Sequence, residues 1–205
     1  MSIKIYVEGG GNQDRANTLC RKAFSQYFQK IAPENRMPRI MPCGTRKSAY
    51  DDFCTALRSP RDNYEVVLLL VDSEDPVQPG RSAWQHLKSR AADNWDRPAS
   101  ANDAAAHLMV QSMESWLLAD KDTLSEFYGQ GFLRNSLPQR ADVEAVNKHE
   151  VIQALKHASK DTTKGSYQKT EHGYALLGLI LPGRVGAASR HANRLNEMIA
   201  NQNTE

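Results

Sequence analysis

Ile3-Lys4-Ile5-Tyr6-Val7-Glu8-Gly9-Gly10-Gly11 is an alternating β-prone run that ends on a carboxylate and passes straight into a glycine turn. A strand of this kind delivers its acid to the C-terminal edge of a sheet, where open α/β sheets place their chemistry. A second run, Val66 to Val71, is apolar and ends in Asp72-Ser73-Glu74-Asp75. Its character suits a central strand covered on both faces. Two strand ends thus carry acids that could converge on one cation.

The intervening segments alternate with these strands. Asp14 to Ile31 sets Ala16, Leu19, Cys20, Ala23, Phe24 and Tyr27 on one helical stripe, with Pro33 beyond its end. Arg39 to Pro42 reads as a short strand, Cys43-Gly44-Thr45 as a turn, and Ser48 to about Leu57 as a helix. Strand, helix, strand, helix, strand implies a parallel sheet. Residues 73–100 are rich in Asp, Pro, Gly and Arg and read as a functional loop region around a helix from Ala83 to Ala92. Ala106 to Val110 is a further strand, and Met113 to Ala119 starts a helix that offers Trp116 and Leu117 to the core. Helices follow at Lys148–Ser159, Gly173–Ile180 and Ala187–Asn201. The expectation is an α/β fold: a mainly parallel sheet flanked by helices over residues 1–120, with a helical C-terminal extension over 121–205 packed on it.

The chain has 205 residues, 40% hydrophobic and 24% charged, which is globular rather than disordered and enough to bury a core. A net charge of +2 does not by itself announce a nucleic-acid binder. Lys156, Lys160, Lys164, Lys169, Arg184, Arg190 and Arg194 crowd the last quarter, however, either as solvated helix faces or as a phosphate-binding surface. Cys20, Cys43 and Cys54 are an odd number without CxxC spacing, which argues against a disulfide framework and a zinc site. With no basic-then-apolar leader and no apolar run approaching a membrane span, a soluble protein of the cytoplasm is expected.

Mg²⁺ takes hard oxygen ligands and keeps several waters, so two or three carboxylates from neighbouring strand ends suffice. Adjacent strands lie about 4.8 Å apart, which lets Glu8 and Asp72 meet over one ion, with Glu74 on the same side if the chain stays extended. Other chemistries lack their signatures. The chain contains no HExxH, GxSxG, GxxxxGK[ST] or GxGxxG, and its six histidines have no metal-ligand spacing. Trp84, Trp95 and Trp116 read as core or lid residues.

Val7-Glu8-Gly9 paired with Val71-Asp72-Ser73-Glu74 resembles the Toprim domain shared by topoisomerases, bacterial primases and the overcoming-lysogenization-defect (OLD) nucleases. More closely, the chain looks like a compact Toprim-like family of unknown function found beside ATPases of the ABC or AAA type in bacterial defence loci. That likeness takes in the segments Gln111 to Asp120 and Lys169 to Gly173. The resemblance implies a Toprim-like sheet and a nuclease using Mg²⁺ or Mn²⁺ to cut DNA or RNA, as effector of an antiphage system with an ATPase partner. A homodimer is left open. Two rivals stand beside it: a non-catalytic sensor or partner module, and another phosphoryl-transfer enzyme.

In that picture Glu8, Asp72 and Glu74 hold the metal. Glu74 stands where the resemblance has an aspartate, and the extra methylene moves its carboxylate by roughly one bond length. It therefore binds directly or through water, or Asp75 shares the task. Glu114 is a candidate for further coordination or for the general base, against the plainer role of an acid at a helix start. Lys169 and His172, three apart, could face one phosphate, the lysine neutralising charge and the histidine donating a proton. Gly9 to Asn12 could offer backbone N–H groups to a phosphate, and Arg46 and Lys47 could hold a nucleic-acid backbone.

Overall fold

The computed structural model describes residues 2–11, 14–58 and 65–201. Four strands, β1 (Ser2–Val7), β2 (Arg39–Pro42), β3 (Glu65–Asp72) and β4 (Ala106–Met109), form one sheet in the order β2-β1-β3-β4. Every pairing is parallel, with Val7 opposite Pro42 on one side and Leu70 on the other, and Asp72 opposite Met109. The helices are α1 (Asp14–Gln29), α2 (Arg46–Arg58), α3 (Ala83–Ser89), α4 (Met113–Leu118), α5 (Lys121–Tyr128), α6 (Lys148–Ser159), α7 (Tyr174–Leu179), α8 (Pro182–Ala188) and α9 (Arg190–Ala200). This is the parallel α/β architecture expected from the strand and helix pattern, and it is consistent with a Toprim-like sheet.

The order decides where a ligand can bind. From β1 the chain crosses to β2 on one side and then to β3 on the other, so the connections diverge between β1 and β3. A crevice opens outside the carboxyl ends of the strands at such a switch point. Glu8 follows β1 and Asp72 ends β3, so both acids flank it.

Period-two alternation splits the core into two layers. Ile3, Ile5, Val7, Leu68 and Leu70 face a core with Phe24, Tyr27 and Trp116, while Val67, Leu69 and Val71 face Phe53, Trp84 and Leu87. The first core also contains Leu155, Leu176 and Leu195, so the helices beyond residue 120 cover the α1 side of the sheet. Among the described residues no helix is long and apolar enough to cross a membrane.

Several boundaries differ from the sequence pattern for local reasons. Helix α2 begins at Arg46, two residues early, because Thr45 Oγ1 accepts from the Ser48 amide (3.1 Å). The expected helix over 83–92 stops at Ser89, and Ser82 opens it with a capping box to Gln85. The segment 187–201 breaks at Ser189, whose backbone is extended and whose Oγ accepts from the Ala192 amide to start α9. Pro182, which reads as punctuation, occupies the first turn of α8, where its missing N–H costs nothing.

Asp120 ties the two halves together. Its fully buried carboxylate caps α5 at Thr123, accepts from the Leu181 amide (3.0 Å) and pairs with Arg184 (2.6 Å). Burial works against ionisation, yet these donors outweigh it and hold the group below the usual carboxylate range. Its stabilisation is therefore present above the unfolded value near ~3.9 and lost as pH falls through the lower folded value. Asp120→Ala is expected to cost about 2–3 kcal/mol in urea unfolding at pH 7, with a smaller cost at pH 3. An equal cost at both pH values would show that the charge is not what Asp120 contributes.

Candidate metal centre

The site begins where β1 runs out. The Glu8 amide donates to Leu70 O (2.9 Å), so the ladder continues one residue past the strand, and Gly9 and Gly44 then exchange hydrogen bonds across the turn (3.1 and 2.8 Å). Gly9 sits at φ 141°, where a Cβ would lie 2.9 Å from Tyr174 Oη; only glycine fits. Glu8 Oε2 accepts from the Asp72 amide (3.1 Å), so the acid after one strand caps the end of its neighbour. Asp72 in turn points its Oδ1 at the Met113 amide (2.7 Å), the first residue of α4.

Glu74 arrives differently from the extended geometry the sequence suggests. The Ser73 amide bonds to Met109 O and the Glu74 amide to Gln111 O (both 2.9 Å), which holds the chain against the exit of β4. Glu74 itself is left-handed, at φ 68°, and this turn sets its carboxylate beside the other two. Glu8, Asp72 and Glu74 each offer an oxygen, all within 4.8 Å of one another. The donors are carboxylates only, without thiolate or imidazole, a set suited to Mg²⁺ or Mn²⁺.

Three cations from three elements surround these acids. Lys169, in a π turn over Lys169–Gly173, brings Nζ to 3.8 Å from Asp72 Oδ2 and 3.5 Å from Glu114 Oε1. Lys148, at the start of α6, pairs with Glu74. Arg46, at the start of α2, sits 3.4 Å from Glu8 Oε2 and donates to the Asp72 carbonyl. The Arg46 guanidinium is itself held bidentately by Asp93 (2.8 and 2.7 Å) and lies 5.1 Å from the Trp95 ring, which stacks on Tyr50. Most of its donors are therefore engaged internally, and its place is to orient Glu8 rather than to grip a ligand.

The charges are in tension. Burial pushes the Asp72 carboxyl well above its usual value; Lys169 opposes this, while Glu8 and Glu114 add to it. Burial also raises Glu8, against Arg46 and the Asp72 amide. Burial disfavours the Lys169 ammonium, but Asp72, Glu114 and Glu8 outweigh it and hold the lysine protonated.

The family model for a domain of unknown function, DUF4276, matches residues 7–200. The chain belongs to the DUF4276 family. No curated protein and no solved structure matches it significantly.

The DUF4276 chain places the remaining candidates unequally. Glu114 is 1% exposed, outside the three-acid group, and its Oε1 receives Tyr167 Oη (3.3 Å) as well as Lys169. It is positioned as the anchor of Lys169. His172 does not join Lys169 at the acids: the π turn carries it into an aromatic cluster, where Nδ1 meets Tyr128 Oη (3.1 Å) beside Phe127 and Tyr167. The expected three-residue helical spacing fails because this turn is wider than an α-helix. Asp75 pairs with Arg90 (2.8 Å), away from the triad. Lys47 pairs with Asp51 on the surface of α2.

The glycine turn does not present free amides for a phosphate. The Gly9 N–H bonds to Gly44, Gly10 N–H to Tyr174 Oη (2.6 Å) and Gly11 N–H to Asn17 Oδ1 (3.1 Å); Asn12 lies outside the described residues. Three of the C-terminal bases are paired within the molecule, Arg184 with Asp120 and Asp122, Arg190 with Glu144, and Arg194 with Asp103 O, while Lys156, Lys160 and Lys164 stand exposed. Lys148, Asp93 and Tyr167 carry no sequence signal for the site; only the packing of distant elements brings them there.

Because Glu8 and Asp72 are raised, the folded protein binds more protons than the unfolded chain above the ordinary carboxylate range, and stability falls as pH rises through that window. With chelator present, Asp72→Asn, which keeps the acceptor for Met113, is expected to raise the thermal midpoint at pH 7. The shift is about 2–4 °C for each kcal/mol gained, and the advantage should vanish near pH 4. A lower midpoint at pH 7 would mark Asp72 as a structural residue.

Proposed function

We propose that this chain is a divalent-metal-dependent nuclease that hydrolyses phosphodiester bonds of DNA or RNA. The observation that carries the reading is the meeting of Glu8, Asp72 and Glu74 within 4.8 Å at the switch point, with the Lys169 ammonium beside them. These three acids would hold Mg²⁺ or Mn²⁺, which when bound supplies Lewis-acid polarisation of a phosphoryl oxygen. Lys169, 54% exposed and anchored by Glu114, faces outward to neutralise charge on a phosphate. Arg46 aims Glu8 and Lys148 aims Glu74.

The role in antiphage defence and the ABC- or AAA-type ATPase partner rest on the resemblance of Glu8, Asp72 and the Gln111–Asp120 and Lys169–Gly173 segments to the Toprim-like defence family, and the cytoplasmic setting on the free Cys20, Cys43 and Cys54. A second reading, phosphoryl transfer on a smaller phosphate compound by the same acids, draws on the internal pairing of Arg184, Arg190 and Arg194. That pairing takes three cations of the C-terminal crowd away from a long backbone.

Purified protein with Mn²⁺ or Mg²⁺ is expected to cleave a nucleic acid, alone or with its ATPase. Glu8→Gln and Asp72→Asn should each lower the rate by about 100-fold or more, and Lys169→Ala by about 100-fold, with circular dichroism unchanged. Mn²⁺ binding measured by calorimetry should weaken in Glu8→Gln and Asp72→Asn but persist in Lys169→Ala. Metal binding without cleavage of any nucleic acid, in either setting, would sink the nuclease reading. Turnover of a mononucleotide or phosphate ester instead would favour the second.

A further inference from the structure

A second polar cleft, of about 360 Å³, lies at the far end of α4 from the acids, between α4, α5, α8 and the loop before α6. Leu118 and Val143 form part of its apolar floor, and Lys121, Arg134, Arg140 and Arg184 line it. These four cations come from three stretches of chain, α5, the connection from α5 to α6, and α8, and among the described residues have only Asp120 and Asp122 as acidic partners, an excess of two positive charges.

Three of the four are fixed before any ligand arrives. Asp122 accepts from both Arg134 and Arg184, and Arg184 is held again by Asp120, so two guanidinium groups converge on one carboxylate. Lys121 Nζ is tied to Pro138 O (2.6 Å) and Gln139 Oε1 (3.1 Å). Arg140 makes no ion pair or hydrogen bond among the described residues and stands exposed at the rim. Burial first, and then the nearby Arg134 charge, hold the Lys121 ammonium below its ordinary value.

We infer that this cleft is a binding site for a phosphate group, separate from the acidic centre and used whether or not that centre is a nuclease. Planar guanidinium groups match phosphate oxygens bidentately, and a dianionic phosphate balances the excess charge. The volume accommodates a mononucleotide-sized ligand, with its apolar part on Leu118 and Val143. The phosphate could come from a free nucleotide or from the end or backbone of a nucleic acid.

Calorimetric titration of pyrophosphate into the full chain, with no divalent metal, tests the site. Wild type should bind, and Arg140→Ala, which removes no internal contact, should weaken binding about tenfold. Lys121→Ala serves as a second variant from a different element, with an expected loss of the same order. Lys169→Ala, which removes the ammonium beside the acids, should bind pyrophosphate as wild type does. A 5′-phosphorylated oligonucleotide and its unphosphorylated twin then separate the sources: preference for the phosphorylated strand supports recognition of a terminal or free phosphate, and equal binding that still falls in Arg140→Ala supports recognition of the backbone. No pyrophosphate binding by wild type, or binding that Arg140→Ala and Lys121→Ala leave unchanged, would overturn the inference. So would binding lost in Lys169→Ala, because the Lys169 ammonium is the cation that would hold an anion at the acidic centre.

Discussion

The contact between the Glu8 carboxylate and the Asp72 amide is the constraint on which the rest of the site depends. It exists because β1 and β3 are parallel neighbours, with Val7 opposite Leu70 and β3 running two residues further, to Asp72. A carboxylate one residue past β1 then reaches the first amide that the ladder leaves unpaired at the end of β3. Had the chain crossed over so that another strand lay between them, the same two sequence motifs would sit about 10 Å apart, too far to share an ion. The divergence of connections on either side of β1 also opens the crevice in which the acids stand.

Gathering carboxylates in a half-buried crevice opposes folding, and the molecule meets this with cations drawn from distant parts of the chain. Arg46 comes from the helix after β2, Lys148 from the start of α6, and Lys169 from the π turn before α7. Each acts through a partner that fixes it: Asp93 and Trp95 for Arg46, Glu114 and Tyr167 for Lys169, and for Lys148 the Gln111 side chain, which accepts from its backbone amide (3.3 Å). Gln111 also accepts the Glu74 amide through its main chain, so one residue after β4 positions both members of the Glu74–Lys148 pair. The helical half of the chain is thus part of the electrostatics of the sheet edge as well as its cover.

The acid-bearing strand ends were legible because they are local: alternation over Ile3 to Val7, an apolar run over Val66 to Val71, and a carboxylate directly after each. Lys169 was legible through its segment and does reach Asp72. His172 was not, because the choice between an α turn and a π turn depends on how Tyr167 and Tyr128 pack, which no spacing rule contains. The glycine turn misled for a related reason: glycines permit a phosphate cradle, but here Gly44, Tyr174 and Asn17 claim the amides first. Arg46 was identified as a base near the edge, yet its task follows from Asp93, a loop residue 47 positions later.

By itself the sequence determined the alternation of strands and helices, and hence a parallel sheet with acids at its carboxyl edge, because side-chain periodicity and turn chemistry act over a few residues. Only the tertiary structure decided that Glu74 turns back through a left-handed backbone to join Glu8 and Asp72, that Lys148 meets it, and that the His172 ring packs on Tyr128. Those outcomes depend on pairings between residues far apart in the chain, where burial and the competition for hydrogen-bond partners, rather than local preference, select the conformation.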